Sequence, residues 1–105
     1  MVHYIALYQL NRDKSEEEFE DMIRRSRVRL HQVREAYQLR CGRSVEKATD
    51  FGFFVSADFE SLAKLAMFRD DPNYQRFQEE VVKKHFLDPR ELIFETDPGK
   101  NPKYS

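Results

Sequence analysis

Two periods alternate along this chain, and the points where one gives way to the other divide it into elements. Val2 to Leu10 is a run of β-branched, aromatic and aliphatic residues of strand length. His3, Ile5, Leu7 and Gln9 share one face, and Val2, Tyr4, Ala6, Tyr8 and Leu10 the other; both faces are largely apolar, which predicts cover on both. Asn11–Lys14 reads as a polar turn. Ser15 with Glu18 has the spacing of a capping box. In the helix that follows, Phe19, Met22, Ile23, Ser26, Leu30 and Val33 fall within an arc of about 100°. Its first turns are acidic and its later turns basic, which complements the helix dipole.

From Val33 the period becomes two. Val33, Glu35, Tyr37, Leu39 and Cys41 alternate with Arg34, Ala36, Gln38 and Arg40, which predicts a strand ending at Gly42. A polar loop, Arg43–Thr49, leads to a third strand, Phe51–Ala57, with Asp58 as a plausible N-cap. A short helix carries Leu62, Leu65, Ala66 and Phe68. Asp71-Pro72 is a second start signal, a capping residue with proline at the first helical position. The helix it opens carries Tyr74, Phe77, Val81 and His85, and Asp88-Pro89 ends it. Glu91–Thr96 is a last strand, and Pro98–Ser105 has the composition of a loose tail. The order β-α-β-β-α-β, with the second helix broken in two, predicts an α+β, ferredoxin-like antiparallel sheet with helices on one face. The expected domain is 1–97, with 98–105 a flexible C-terminal tail. Tyr4, Ala6, Tyr8 and Leu10, beside Phe54, are expected to form the sheet face away from the helices and to be covered by a second copy of the chain.

Composition narrows the function more than it names one. A length of 105 residues is one domain, and its 13% aromatic content argues against disorder. A net charge of −1 speaks against a dedicated nucleic-acid binder. The arginines at 24, 25, 27, 29 and 34 spread around the whole arc outside the apolar stripe, as on a solvated, salt-bridged helix. Cys41 stands alone and reads as a buried structural thiol. His3, His31 and His85 lie on three elements without metal-ligand spacing, so neither metal nor cofactor is expected. No run approaches the length of a membrane span, and the N-terminus is too short and too polar for a signal peptide, so a cytoplasmic protein is expected.

The strand HYIALYQL, the strand-to-helix step Phe59-Glu60-Ser61, the segment Asp70-Asp71-Pro72-Asn73-Tyr74 and the short apolar closing strand together resemble the stress-responsive dimeric α/β-barrel (Dabb) family. That family lies within the superfamily that includes antibiotic-biosynthesis monooxygenases. The resemblance implies a homodimer whose two sheets close a barrel. A polyketide cyclase on this fold works through histidines and a tyrosine in a pocket between sheet and helices. By that resemblance His3 matches the first-strand histidine. Phe53, Phe68 and Tyr74 fall where the cyclase has a histidine, a tyrosine and its catalytic histidine. Phenylalanine moves no proton. The expected site is therefore a ligand pocket of His3, Phe53, Phe68 and Tyr74 that takes a small hydrophobic or aromatic molecule, with no assignable catalytic residue. The alternatives are a cofactor-independent cyclase, isomerase or monooxygenase, and a purely structural homodimer. Haem-degrading superfamily members depend on a tryptophan, and this chain has none.

Overall fold

In a computed structural model, residues 1–10, 15–46, 49–87 and 89–96 are described. The expected turn at 11–14 and tail at 98–105 lie outside these residues. Strand β1 (Val2–Tyr8) leads to helix α1 (Glu16–Leu30), then to β2 (Tyr37–Arg43) and β3 (Phe53–Phe59). Helices α2 (Leu62–Asp70) and α3 (Pro72–Phe77) follow, then a π-helical turn at Gln78–Val82, a last helical turn α4 (Lys83–His85) and β4 (Arg90–Glu95). The four strands form one sheet in the order β2-β3-β1-β4, with every neighbouring pair antiparallel. This is the ferredoxin-like α+β arrangement that the order of periods predicts.

Each cap has a donor to satisfy. The Ser15 hydroxyl accepts from Glu18 N at 3.2 Å, Ser61 from Lys64 N at 3.2 Å, and the Asp71 carboxylate from Asn73 N at 2.7 Å. Thus Ser61, not Asp58, starts α2; Asp58 stays in the sheet. The α1 stripe is buried at Met22, Ile23, Ser26 and Leu30, and Ser26 satisfies its hydroxyl on Met22 O at 2.8 Å. In α2 only Leu65 and Phe68 are buried; Leu62 stands in solvent. The π turn lets two successive residues, Val81 and Val82, both reach the core.

Strand β2 begins four residues later than the alternation implies. The chain from His31 to Ala36 is a turn that still buries Val33. The register between β2 and β3 then slips between Tyr37 and Arg40, and Gln38 takes a φ of 53°. The alternating pattern marked the strand but not the bulge, which costs one extra residue on β2.

On β1 the buried residues are Val2, Tyr4, Ala6 and Tyr8, and they face the helices. This reverses the expected facing. The outer face carries His3, Ile5 and Leu7 instead. Strand alternation allows only one of the two sets inside. The inner set brings two large aromatic rings and no charged or amide group, whereas the other brings His3 and Gln9.

Candidate functional site

The helix-facing side of the sheet is an aromatic interior. At one end the Tyr74 ring lies 4.5 Å from Phe68, centroid to centroid, and Phe68 lies 5.6 Å from Tyr4. At the other, Phe53 stacks on Phe86 at 5.3 Å with 12° between planes, and Tyr8 lies 5.7 Å from Phe53. Phe77 links the two ends, 6.2 Å from Tyr74 and 6.1 Å from Tyr8. Phe53 and Phe68 are within 1% of complete burial, and Tyr74 is 6% exposed. Asp71 and Pro72 fix the start of α3, and the first turn then aims Tyr74 inward.

Three phenols are buried among these rings. The Tyr4 and Tyr74 hydroxyls lie 3.5 Å apart, the outer limit of a hydrogen bond. Among the described residues the buried Tyr8 hydroxyl has no partner at hydrogen-bond distance, and the Tyr4 hydroxyl is a polar neighbour that interacts with it. Burial is the leading cause that pushes all three phenols above the usual tyrosine value. At neutral pH they are therefore O–H groups that donate and accept hydrogen bonds, and none is a base. The Arg69 guanidinium meets the Glu91 carboxylate at 2.9 Å and ties the end of α2 to the edge strand β4.

His3 does not join this group. It lies on the opposite face of the sheet, and the β1 side chain that meets Tyr74 is Tyr4. Phe53, Phe68 and Tyr74 share the interior, with Phe68 and Tyr74 in contact and Phe53 at the far end. The antiparallel register puts His3 opposite Asp58. Its Nδ1–H donates to Asp58 Oδ1 at 2.7 Å, because a carboxylate only accepts. Nε2 lies 3.4 Å from Thr96 Oγ1, which is itself 3.3 Å from Met1 O. The chain of contacts joins the start of β1 to β3 and to the end of β4. About a third of each side chain of the His3–Asp58 pair is exposed (33% and 31%), so the pair contributes at most about 1 kcal/mol. Sequence reasoning missed Tyr4 and Tyr8 as the polar groups of the interior. The signal that could have found them is the polarity of the two β1 faces.

The outer face of the sheet is apolar at its centre. Pairing places Leu92 beside Ile5, Phe94 beside His3 and Phe54 beside Leu7. Gly42 lies opposite Phe54, and a Cβ there would stand 3.4 Å from the Phe54 ring, so the ring lies close against β2 at this position. Leu92 is 37% and Phe94 55% exposed. Among the described residues, no group of three or more metal-ligating side chains is assembled, and no helix is long and apolar enough to cross a membrane.

The model of the stress-responsive A/B barrel domain matches residues 2–93. The chain belongs to that family. Solved structures agree on the fold. A Dabb family protein with a ferredoxin-like fold from Mesorhizobium loti superposes with a TM-score of 0.79 at 15% identity, over 90% of this chain and 95% of the other. A dimeric ferredoxin-like protein from Thermobifida fusca gives 0.78 at 18%, over 90% of each. An antibiotic biosynthesis monooxygenase gives 0.69 at 14%, over 93% of this chain and all of the other. No functionally curated protein matches the sequence. Identities this low carry the fold and leave the chemistry to the residues.

Proposed function

We propose that this Dabb protein is a homodimer that binds a small aromatic or hydrophobic molecule in the interior between sheet and helices, without proton-transfer catalysis. The observation that carries the reading is the Tyr8 hydroxyl, buried with no partner at hydrogen-bond distance among the described residues, beside rings that supply apolar walls. A buried hydroxyl without a partner costs about 1–3 kcal/mol, and an acceptor on a bound molecule would recover it. Phe53, Phe68 and Tyr74 are the walls of that site, and Tyr4, Tyr8 and Tyr74 its polar groups; a few such donors in an apolar enclosure orient a ligand. His3, on the outer face, belongs to the dimer side in this reading. The dimer rests on an apolar face of half-buried Ile5, Leu7 and Phe54 and exposed Leu92 and Phe94, and on the dimeric state of a structural neighbour. A cytoplasmic location accords with it.

Native mass spectrometry of freshly purified protein tests both halves. The expected spectrum shows a dimer carrying retained small-molecule mass, and Tyr8→Phe loses that mass while remaining folded. Retained mass that is unchanged in Tyr8→Phe would remove the tyrosine site. The second reading, a structural homodimer, is favoured by the close ring packing of Phe68 and Tyr74. It predicts a bare dimer, stabilised by Tyr8→Phe because the orphaned hydroxyl is gone. Turnover of an aromatic substrate that survives Tyr8→Phe and is lost in His3→Ala would instead support the enzymatic alternatives of cyclase, isomerase or monooxygenase.

A further inference from the structure

A second site, with no lining residue in common with the aromatic interior, lies where the turn after α1 meets the turn before α2. Arg34, Glu35, Tyr37, Glu60 and Lys64 line a cleft of about 260 Å³, room for a molecule of amino-acid size. The bulge at the start of β2 builds one wall. With Gln38 in the left-handed region, Tyr37 turns toward β3 and donates its hydroxyl to Glu60 Oε1 at 2.7 Å. That bond commits part of one carboxylate. The other, Glu35, makes no ion pair among the described residues, and its Oε2 is buried with no hydrogen-bond partner among them. Arg34 and Lys64 have no ion-pair partner among the described residues either.

The cleft therefore holds both signs of charge, and they do not neutralise each other. Its two cations and the Glu35 carboxylate line a common space, whereas charged side chains along the helices pair. Arg25 meets Asp21 at 2.8 Å, Arg29 meets Glu80 at 3.2 Å, and Lys83 meets Glu79 at 2.7 Å. We propose that this cleft binds a small zwitterion, an α-amino acid or a compound of the same charge pattern, with its ammonium on Glu35 and its carboxylate between Arg34 and Lys64. A carboxylate shares its charge over both oxygens, so an ammonium that reaches Glu35 from the cleft compensates the buried Oε2 as well. Arginine offers the ligand's carboxylate a two-pronged contact and lysine a point charge. Tyr37 stays protonated as a donor, because its bond to Glu60 raises the phenol above its ordinary value. The site shares no lining residue with the tyrosine interior, and the failure of either proposal leaves the other standing.

The probes are the twenty free L-amino acids, each at about 10 mM, which reveals binding down to roughly millimolar affinity. They are added to the ¹⁵N-labelled full chain, with amide shifts as the readout. At least one amino acid is expected to shift the amides of residues 34–37 and 60–64 together. Glu35→Gln should weaken that binding by about tenfold or more. Arg34→Met and Lys64→Met should weaken the amino acid but not its decarboxylated amine. An unchanged amide spectrum away from the cleft shows that each variant is folded. If Glu35→Gln does not fold, Lys64→Met, at a position outside the buried core, carries the test through the same amine comparison. The proposal is overturned if no amino acid perturbs these amides, if Glu35→Gln binds as the parent does, or if the amine binds as tightly as the amino acid.

Discussion

At the scale of single residues, the phenols make the sharpest statement. Tyr4, Tyr8 and Tyr74 are all raised, with burial as the first cause. The folded state resists their ionisation, whereas the unfolded chain releases those protons near pH 10. Above that pH the unfolded state binds fewer protons than the native state, so stability falls as pH rises. The stability is complete below about pH 10 and is lost as pH climbs toward the raised folded values. Absorbance at the tyrosinate band should therefore show these phenols staying protonated past the ordinary range and ionising together as the protein unfolds. A smooth titration of all five tyrosines near pH 10 with the fold intact would show that the interior is wet. The residues that make this core were legible in the sequence; their facing was not. Val2, Tyr4, Ala6 and Tyr8 form one row and His3, Ile5 and Leu7 the other, and alternation alone states only that the rows are separate. The polar members His3 and Gln9 were the clue to the outward row. That His3 finds Asp58 was not legible, because it depends on the register between two strands far apart in sequence.

At the scale of elements, local signals worked where the chemistry is local. Ser15 with Glu18, and Asp71 with Pro72, start helices as written, because a cap satisfies donors within its own turn. The third strand runs two residues past Ala57 because Asp58 pairs with His3 and Phe59 with Val2, and a long-range pairing overrides a local capping preference. The β2 bulge escaped for the same reason. An extra residue on one strand is defined against its partner and leaves an alternating sequence alternating. Gln38 sits at that bulge with φ 53°, where a side chain is strained and glycine is not. Gln38→Gly should thus remove about 1 kcal/mol of strain, offset in part by glycine's greater freedom in the unfolded chain. The expected outcome is a denaturation midpoint that stays level or rises, whereas glycine within an ordinary strand lowers it. A clear fall would mean that the Gln38 side chain itself holds the turn.

At the scale of the whole molecule, the layered fold leaves one face of the sheet without helices, and the proposed dimer rests on that face. The sequence predicts a second copy over this face, and in the fold the apolar residues on it are different ones. Tyr4 and Tyr8 are inside, and the apolar surface comes from Ile5, Leu7, Phe54, Leu92 and Phe94. Burying the exposed parts of such side chains against a second sheet contributes about 25 cal/mol per Å² of apolar area. β4 is exposed along its length, so Leu92 and Phe94 can be changed without opening the protomer's core. Leu92→Asp places a charge that has no partner in a dry interface, at a cost of several kcal/mol to the dimer and little to the monomer. Light scattering at micromolar concentration should find the parent chain a dimer and Leu92→Asp a folded monomer. Tyr8→Asp should unfold the chain, since Tyr8 lies in the protomer's own core. A parent chain that is monomeric at this concentration, or a Leu92→Asp chain that remains a dimer, would move the interface to another surface.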